Sequence, residues 1–490
     1  MSAWAAERGA IVTFNGRSFD VPLIETRYLF HRQPFPLEGR PHVDMLVSSI
    51  AVANCQPLPR AAPNQTLSEV WCGQMMSRSI ARIAGGAGVC AALLSWAPAS
   101  AGAQPPAGRP AGQTGPLYVG SASCRPCHTQ TYERWSKTRM ANVVRDPREH
   151  PEAVLPDFKA ADPLRTFSLD DVAFVYGSRW KQRYFKKVGN DYFPLPAQWD
   201  VTHRVWRPYF VAPNTDWWVK FYPADNAQRP TGPLCDGCHS VNYDIKTRAV
   251  TEWNVGCEKC HGPGSDHVKA PARANIVNPA RLDFVRANDT CIQCHSQGQP
   301  LSNPIENQYY DWPVGFNQGG NLKDYWRLEE HTIGQQTFTH FPDGTAHKNR
   351  MQGNDFVQSV MYRRGVTCFG CHDPHGTSNP ADLIKPARSV CLSCHGPASP
   401  NGPHAQTIEQ HTHHQQGSAG SECVACHMPA IEQTIADVNV RSHTFAFIAP
   451  RLTEQFKIPN ACTSCHADKS AAWAIEAMRG WPGISPWRVQ

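Results

Sequence analysis

The chain has 490 residues, long enough for more than one domain, and its 41% apolar content is that of an ordinary soluble protein. Its 19 cysteines and 22 histidines are far from ordinary. An odd cysteine total argues against a simple disulfide framework, and so many thiols point to export or to a cofactor role.

Residues 11–35, IVTFNGRSFDVPLIETRYLFHRQPF, followed by PHVDML, resemble a fragment of the ribonuclease-H-like exonucleases. The resemblance spans residues 10–50 and implies metal-binding aspartates at Asp20 and Asp44. So short a stretch buries too little surface to form a nuclease core. Residues 1–75 therefore read as an overlong start or a neighbouring-gene remnant, with translation beginning at Met75 or Met76. Residues 76–101 carry the three parts of a bacterial secretion signal: Arg78 and Arg82, the apolar run Ile83 to Trp96, and an Ala99-Ser100-Ala101 cleavage pattern. The apolar run is too short to span a bilayer. Cys55, Cys72 and Cys90 fall before the cleavage site. Residues 102–116 are a Pro/Gly-rich tether.

The remaining sixteen cysteines, all within 117–490, fall in one pattern. Eight C-x-x-C-H pentapeptides, numbered here as motifs 1 to 8, are Cys124-Cys127-His128, Cys235-Cys238-His239, Cys257-Cys260-His261, Cys291-Cys294-His295, Cys368-Cys371-His372, Cys391-Cys394-His395, Cys423-Cys426-His427 and Cys462-Cys465-His466. This is the signature of covalent c-type haem attachment. Two thiols two residues apart reach one porphyrin edge from a single turn, and the next residue, His, lies beneath the iron. Zinc sites need two C-x-x-C pairs per metal and no histidine after each. Redox-active C-x-x-C pairs do not recur eight times. Eight haems would bring about 16 propionate charges, outweighing the formal charge of +6 and removing nucleic acid as a partner.

Motifs 2 to 4 begin at 235, 257 and 291, and motifs 5 to 7 at 368, 391 and 423. The similar gaps, with CHGPGS at Cys260 and CHGPAS at Cys394, suggest a duplicated three-haem module. The expected fold is a multihaem cytochrome c, mostly loops and short α-helices wrapped around packed haems, with a small β-hairpin region. That region lies in 129–234, where VAFVYGS, RYFKKV and DYFPLP read as strands and Gly189-Asn190 as a hairpin turn. Asp468 to Arg479 has helical composition.

Twelve further histidines of the mature region are available as second axial ligands, enough to close every iron with two imidazoles. His267 and His375 stand out for their short tethers to motifs 3 and 5. His340 and His443 sit between apolar residues, and a buried imidazole needs a partner. His404, His411 and His414 lie close to motifs 6 and 7; His413 shares their tract. For His150, His203, His331 and His347 a bland role is equally good, and Met140 and Met428 read as packing residues.

From about Tyr118 to Gly480 the chain resembles the octahaem c-type cytochromes of bacteria. The phrases that carry the resemblance are YVGSASCRPCH, WSKTRMAN, CEKCHGPGSDH, GVTCFGCHDPHG, HTHHQQGSAGSECVACHMP and PNACTSCHADKSAAWA. The wider superfamily includes hydroxylamine oxidoreductase, pentahaem nitrite reductase and octahaem tetrathionate reductase. The resemblance implies closely packed haem pairs, with distal ligands at His267, His340, His375, the 411–414 cluster and His443. The chain has no C-x-x-C-K motif and no match to the tyrosine crosslink of hydroxylamine oxidoreductase, which counts against those two chemistries.

The expected function is periplasmic or extracellular electron transfer after Sec export. The expected partners are donor and acceptor cytochromes or a quinol-oxidising membrane complex, with self-assembly into a wire as a special case. The alternative is a reductase of a small nitrogen or sulfur oxyanion at one open haem. Its candidate anion-binding groups are His347, Lys348 and Arg350, or Arg179 and Lys181; a rim pairing with propionates is the simpler use of such charges.

Overall fold

The computed structural model describes residues 11–13, 42–44, 115–209, 229–396, 399 and 407–489. The chain divides into two units, Met1–Ala101 and Gly102–Gln490. In the first, strands β1 (Ile11–Thr13) and β2 (His42–Asp44) pair in parallel, with Thr13 opposite Asp44. Asp20 and the secretion signal at 76–101 lie outside the described residues, as does the tether up to residue 114.

The second unit contains a five-stranded antiparallel meander. Its strands are β3 (Val144–Arg145), β4 (Phe174–Tyr176), β5 (Lys181–Val188), β6 (Asp191–Asp200) and β7 (Val205–Pro208), in that spatial order. The three expected strand segments are there, and the Gly189-Asn190 turn joins β5 to β6 with Val188 opposite Asp191. Gly189 takes φ 61°, which a two-residue hairpin favours. The sheet is larger than the expected hairpin region. Val205 to Pro208, with Trp206 opposite Trp199, adds an edge strand that its mixed composition concealed.

Alternation along the strands gives the sheet two buried faces. Val175, Tyr184, Leu195, Ala197 and Trp206 pack with Phe167 and Val172 on one. Tyr176 and Phe185 pack with Val144 on the other, against Cys235 and Trp253. The sheet thus supplies a core of its own and a wall for motif 2.

The rest is short helices, 3₁₀ turns and two-stranded hairpins, as the sequence suggests. Asn460 caps Ala461–Cys465, accepting the N–H groups of Cys462 and Thr463. The last α-helix begins at Ala471, not Asp468, because Ser470 accepts the N–H of Trp473 and ends the preceding turn. Two carboxylates, buried Glu258 and half-buried Glu252, tie the start of the domain to the region of motif 3. Glu258 accepts the N–H groups of Val119, Gly120 and Gly264, and Glu252 accepts the N–H and hydroxyl of Ser121. Among the described residues no helix is long and apolar enough to cross a membrane.

Candidate functional site

Each motif folds as a single helical turn. The N–H of the motif histidine donates to the carbonyl of the first cysteine at 2.8–3.0 Å in motifs 1, 3, 4, 5 and 8. Motif 6 ends the helix Ala387–His395, motif 7 is the helix Cys423–His427, and motif 2 crosses from the π-helical stretch Gly232–Asp236 into Gly237–His239. On such a turn residues i and i+3 share a face, so both thiols are presented together with the histidine one step beyond.

Four of these histidines face a second imidazole. His128 faces His267 with ring centroids 6.3 Å apart and planes 16° apart. His261 faces His375 at 6.2 Å and 18°, and His427 faces His411 at 6.2 Å and 5°. His466 faces His414 at 6.2 Å and 35°. These rings are too far apart for contact stacking. A metal–imidazole bond is about 2.0–2.1 Å, so two imidazoles on opposite sides of one ion have centroids about 6.3 Å apart. The observed spacings match that value.

Hydrogen bonds fix the tautomers as ligation requires. A carbonyl can only accept, so a ring nitrogen facing one carries the proton. Nδ1 of His261 donates to Val277, that of His267 to Ala272, that of His372 to Ala381, that of His414 to Thr412 and that of His443 to Arg441, at 2.6–3.1 Å. Nδ1 of His375 meets the Asp373 carboxylate at 3.0 Å. Each ring then offers Nε2 with its lone pair free, the second-contact arrangement typical of metal-ligating histidines. Burial also holds His261, His411 and His427 below their ordinary values and His443 at about 4, so these rings are neutral. The donor set fits haem.

Motif 2 is built differently. Among the described residues no imidazole stands opposite His239; its ring neighbour is Tyr176, edge-on at 5.6 Å. The Tyr176 hydroxyl donates to Asp236 at 2.8 Å, as does Thr231 at 2.7 Å, locking the turn to the sheet. Burial, followed by the positive charges of Arg350, Arg183 and Lys259, holds His239 at about 4. Lys181 belongs to the same group of cations. Burial, then Arg183, Arg350 and Lys348, push its amine well below its ordinary value, and it donates to the Thr434 carbonyl at 2.8 Å. Arg350 has a left-handed backbone, φ 67°, the kind of local strain that clusters at functional positions. Its guanidinium makes no hydrogen bond or ion pair with any described residue.

A doubled CXXCH motif profile matches residues 362–400, which hold motifs 5 and 6. The chain is 21% identical over 412 residues to the dissimilatory sulfite reductase MccA of Wolinella succinogenes, covering 71% of this chain and 50% of that protein. It is 25% identical over 155 residues to the multiheme cytochrome MtrA of Shewanella baltica, covering 30% of this chain and 43% of that protein. The chain thus spans about half the length of the curated relatives it matches. The fold matches the crystal structure of the outer cell wall cytochrome OcwA with a TM-score of 0.58 at 21% identity, over 76% of this chain and 92% of that one. Together these likenesses support a multihaem c-type cytochrome family for the chain.

Its cofactor is therefore haem c, bound covalently through C-x-x-C-H turns. Of the further ligands expected from sequence, the cytochrome brings His267, His375, His411 and His414 opposite motif histidines. His443 lies within electrostatic reach of His372 and His295, and its ring meets Phe445 edge-on at 5.9 Å. His340 is fully buried but faces His331, 4.9 Å away, rather than a motif histidine; its Nδ1 meets the Thr339 hydroxyl. His404 lies outside the described residues. His413 stacks on Trp481 at 4.3 Å, His203 bridges Asp200 and Asp437, and His150 meets Arg145 and Glu152. Sequence reasoning paired Arg179 with Lys181, whereas Arg183 is the residue that joins it. The signal was available: Lys181 and Arg183 are two apart on one strand and so share a face. Lys259, inside motif 3, also escaped notice; its amine bonds the Gly237 carbonyl of motif 2.

Proposed function

We propose that this cytochrome carries electrons along a chain of eight haems, most of them held by two imidazoles. The observation that carries the reading is the set of four imidazole pairs at 6.2–6.3 Å. Two imidazoles close an iron to substrates and leave electron exchange as its chemistry. In this reading His267, His375, His411 and His414 serve the haems of motifs 1, 3, 7 and 8, His443 serves that of motif 4 or 5, and His404 serves that of motif 6. The work is done outside the cytoplasm, in the periplasm or at the cell surface. The export pattern at 76–101 supports this, as does the likeness in fold to an outer cell wall cytochrome. Donor and acceptor redox proteins are its partners.

A second reading, reduction of a small nitrogen or sulfur oxyanion, has a specific observation in its favour. The haem of motif 2 has no imidazole opposite His239 among the described residues, and Lys181, Arg183 and Arg350 gather there. Fixed cations beside an open iron stabilise negative charge on a bound oxyanion. The likeness to a sulfite reductase points the same way.

Electron paramagnetic resonance of the oxidised protein separates the two. Low-spin signals alone support the pure carrier. A high-spin ferric signal that shifts when nitrite, hydroxylamine, sulfite or cyanide is added supports reduction at motif 2. If no low-spin bis-imidazole signal appears, the carrier reading is overturned.

A further inference from the structure

His331 and His340 form an imidazole pair that the haem reading leaves unused, and its geometry differs from that of the four facing pairs. The two ring centroids are 4.9 Å apart, with planes 37° apart. Axial imidazoles stand on opposite sides of a haem iron, with centroids about 6.3 Å apart, so these two rings do not share a haem. Two imidazoles on neighbouring corners of a tetrahedral ion, with metal–nitrogen bonds of about 2.0–2.1 Å, have centroids about 5.1 Å apart. The observed spacing matches that second arrangement.

The local chain holds both rings in place. His340 pairs with Ala346 across an antiparallel bridge. Its N–H donates to the Thr337 hydroxyl at 3.0 Å, and its carbonyl accepts the Thr337 N–H at 3.0 Å. The Gly334 N–H donates to the Pro342 carbonyl at 2.7 Å, which ties the stretch after His331 to the same turn. Gly344, at φ 85°, forms the floor under His331. A Cβ there would lie 2.4–3.0 Å from Nε2, Cδ2 and Cε1 of that ring, so the imidazole keeps its position only over a glycine.

His340 is fully buried, and its Nδ1 meets the Thr339 hydroxyl at 3.0 Å. Its Nε2 is buried as well and has no hydrogen-bond partner. A buried polar atom left unpaired carries a desolvation cost that native structures avoid. Ring contact with His331 does not satisfy that nitrogen; a metal ion does. Burial, followed by the neighbouring His331, holds His340 at about 4, so the ring is neutral, as ligation requires. His331 is half-buried and residues 332–338 are exposed, so the pair joins the interior to the surface.

We propose that His331 and His340 bind a zinc ion at a site separate from the haems, with Nε2 of His340 as one ligand and the His331 ring as the other. Zinc takes neutral imidazole nitrogens and prefers the tetrahedral geometry that the ring spacing matches. Among the described residues no third imidazole, thiol or carboxylate joins the pair. Water therefore completes the shell, and the ion exchanges with solution.

The test uses the full holoprotein, matured with its haems and purified without metal-affinity resin. The protein is stripped with a chelator, dialysed against zinc, and its metal content is read by plasma mass spectrometry. His340→Ala and His331→Ala are each expected to hold one zinc fewer than the parent, with the ferric haem signals in electron paramagnetic resonance unchanged. Equal zinc in the parent and both variants overturns the proposal. Loss of a low-spin haem signal in either variant also overturns it, because the substituted ring is then an iron ligand. Where a variant does not mature, zinc-edge X-ray absorption of the unaltered holoprotein loaded with one equivalent of zinc decides. Imidazole nitrogens at about 2.0–2.1 Å are expected, and a shell without imidazole overturns the site. Neither result touches the haem reading, which the intact mass tests separately.

Discussion

His375 stands three residues beyond His372, yet it faces His261, more than a hundred residues earlier. A tether of three residues cannot fold back under its own motif, so the ring reaches the neighbouring one. Its carboxylate partner Asp373 is held in turn by Arg134 at 2.9 Å. His375→Ala is expected to leave the fold and all thioether bonds intact while converting one low-spin ferric haem to high spin, as read by electron paramagnetic resonance. An unchanged spectrum would remove His375 from the ligand set. Gly237, inside motif 2, has a different constraint. A Cβ there would lie 1.9 Å from the Trp312 ring, whose indole N–H donates to the Gly232 carbonyl at 2.9 Å. Gly237→Ala is expected to displace the motif 2 turn and yield protein one haem lighter, with the other seven retained; mass spectrometry gives the count. The eight turns were legible from spacing alone because their chemistry is local. The facing histidines were legible only as a pool, since tertiary placement decides which ring meets which. His340 shows why: its apolar flanks correctly signal burial, and burial brought it to His331.

At the scale of elements, the meander β3–β7 is the part of the domain with a conventional side-chain core. Tyr184 is fully buried in it, with its hydroxyl donating to Gln182 at 2.8 Å. Tyr184→Ala is expected to cost about 3 kcal/mol and to lower the thermal midpoint, with the attached haems unchanged in number. The strands with strong alternation and a Gly-Asn turn were readable in advance. β7 was not, because four residues ending in proline carry too little pattern. A second element-level prediction concerns the link between the helix Gln352–Gln358 and the segment after the strand Val438–Arg441. Asp355 accepts from the Ala346 N–H, the Ser442 hydroxyl and the His443 N–H, and burial pushes it up to about 6 from its ordinary 3.8. The folded state therefore holds a proton that the unfolded state releases. Its stabilising contribution is complete below about pH 3.8 and is lost as the pH rises through about 6. Asp355→Asn should flatten that part of the stability profile measured by denaturant unfolding; an unaltered slope would assign it to another group.

Across the whole molecule, the side-chain core of the described residues is divided among small clusters. The hydrophobic clusters described away from the meander are small, three or four buried residues each, and in the proposed reading packed porphyrins supply the apolar area they lack. This is why the sequence revealed the class of protein so directly and its internal order so poorly. Covalent attachment leaves a five-residue imprint, whereas the neighbour of each haem is set by contacts between motifs far apart in sequence. The propionates of the eight proposed haems would reverse the formal charge of +6, so the assembled protein should migrate as an acidic species in isoelectric focusing; a basic migration would mean that the haems are missing. The account stands or falls on sixteen thioether bonds, and the intact mass of protein matured by the c-type haem assembly machinery measures them directly. The predicted result is the mass of the exported polypeptide plus eight haems, with peptide mapping placing one on each C-x-x-C-H turn. A colourless protein, or a mass carrying fewer than eight after complete maturation, would contradict it.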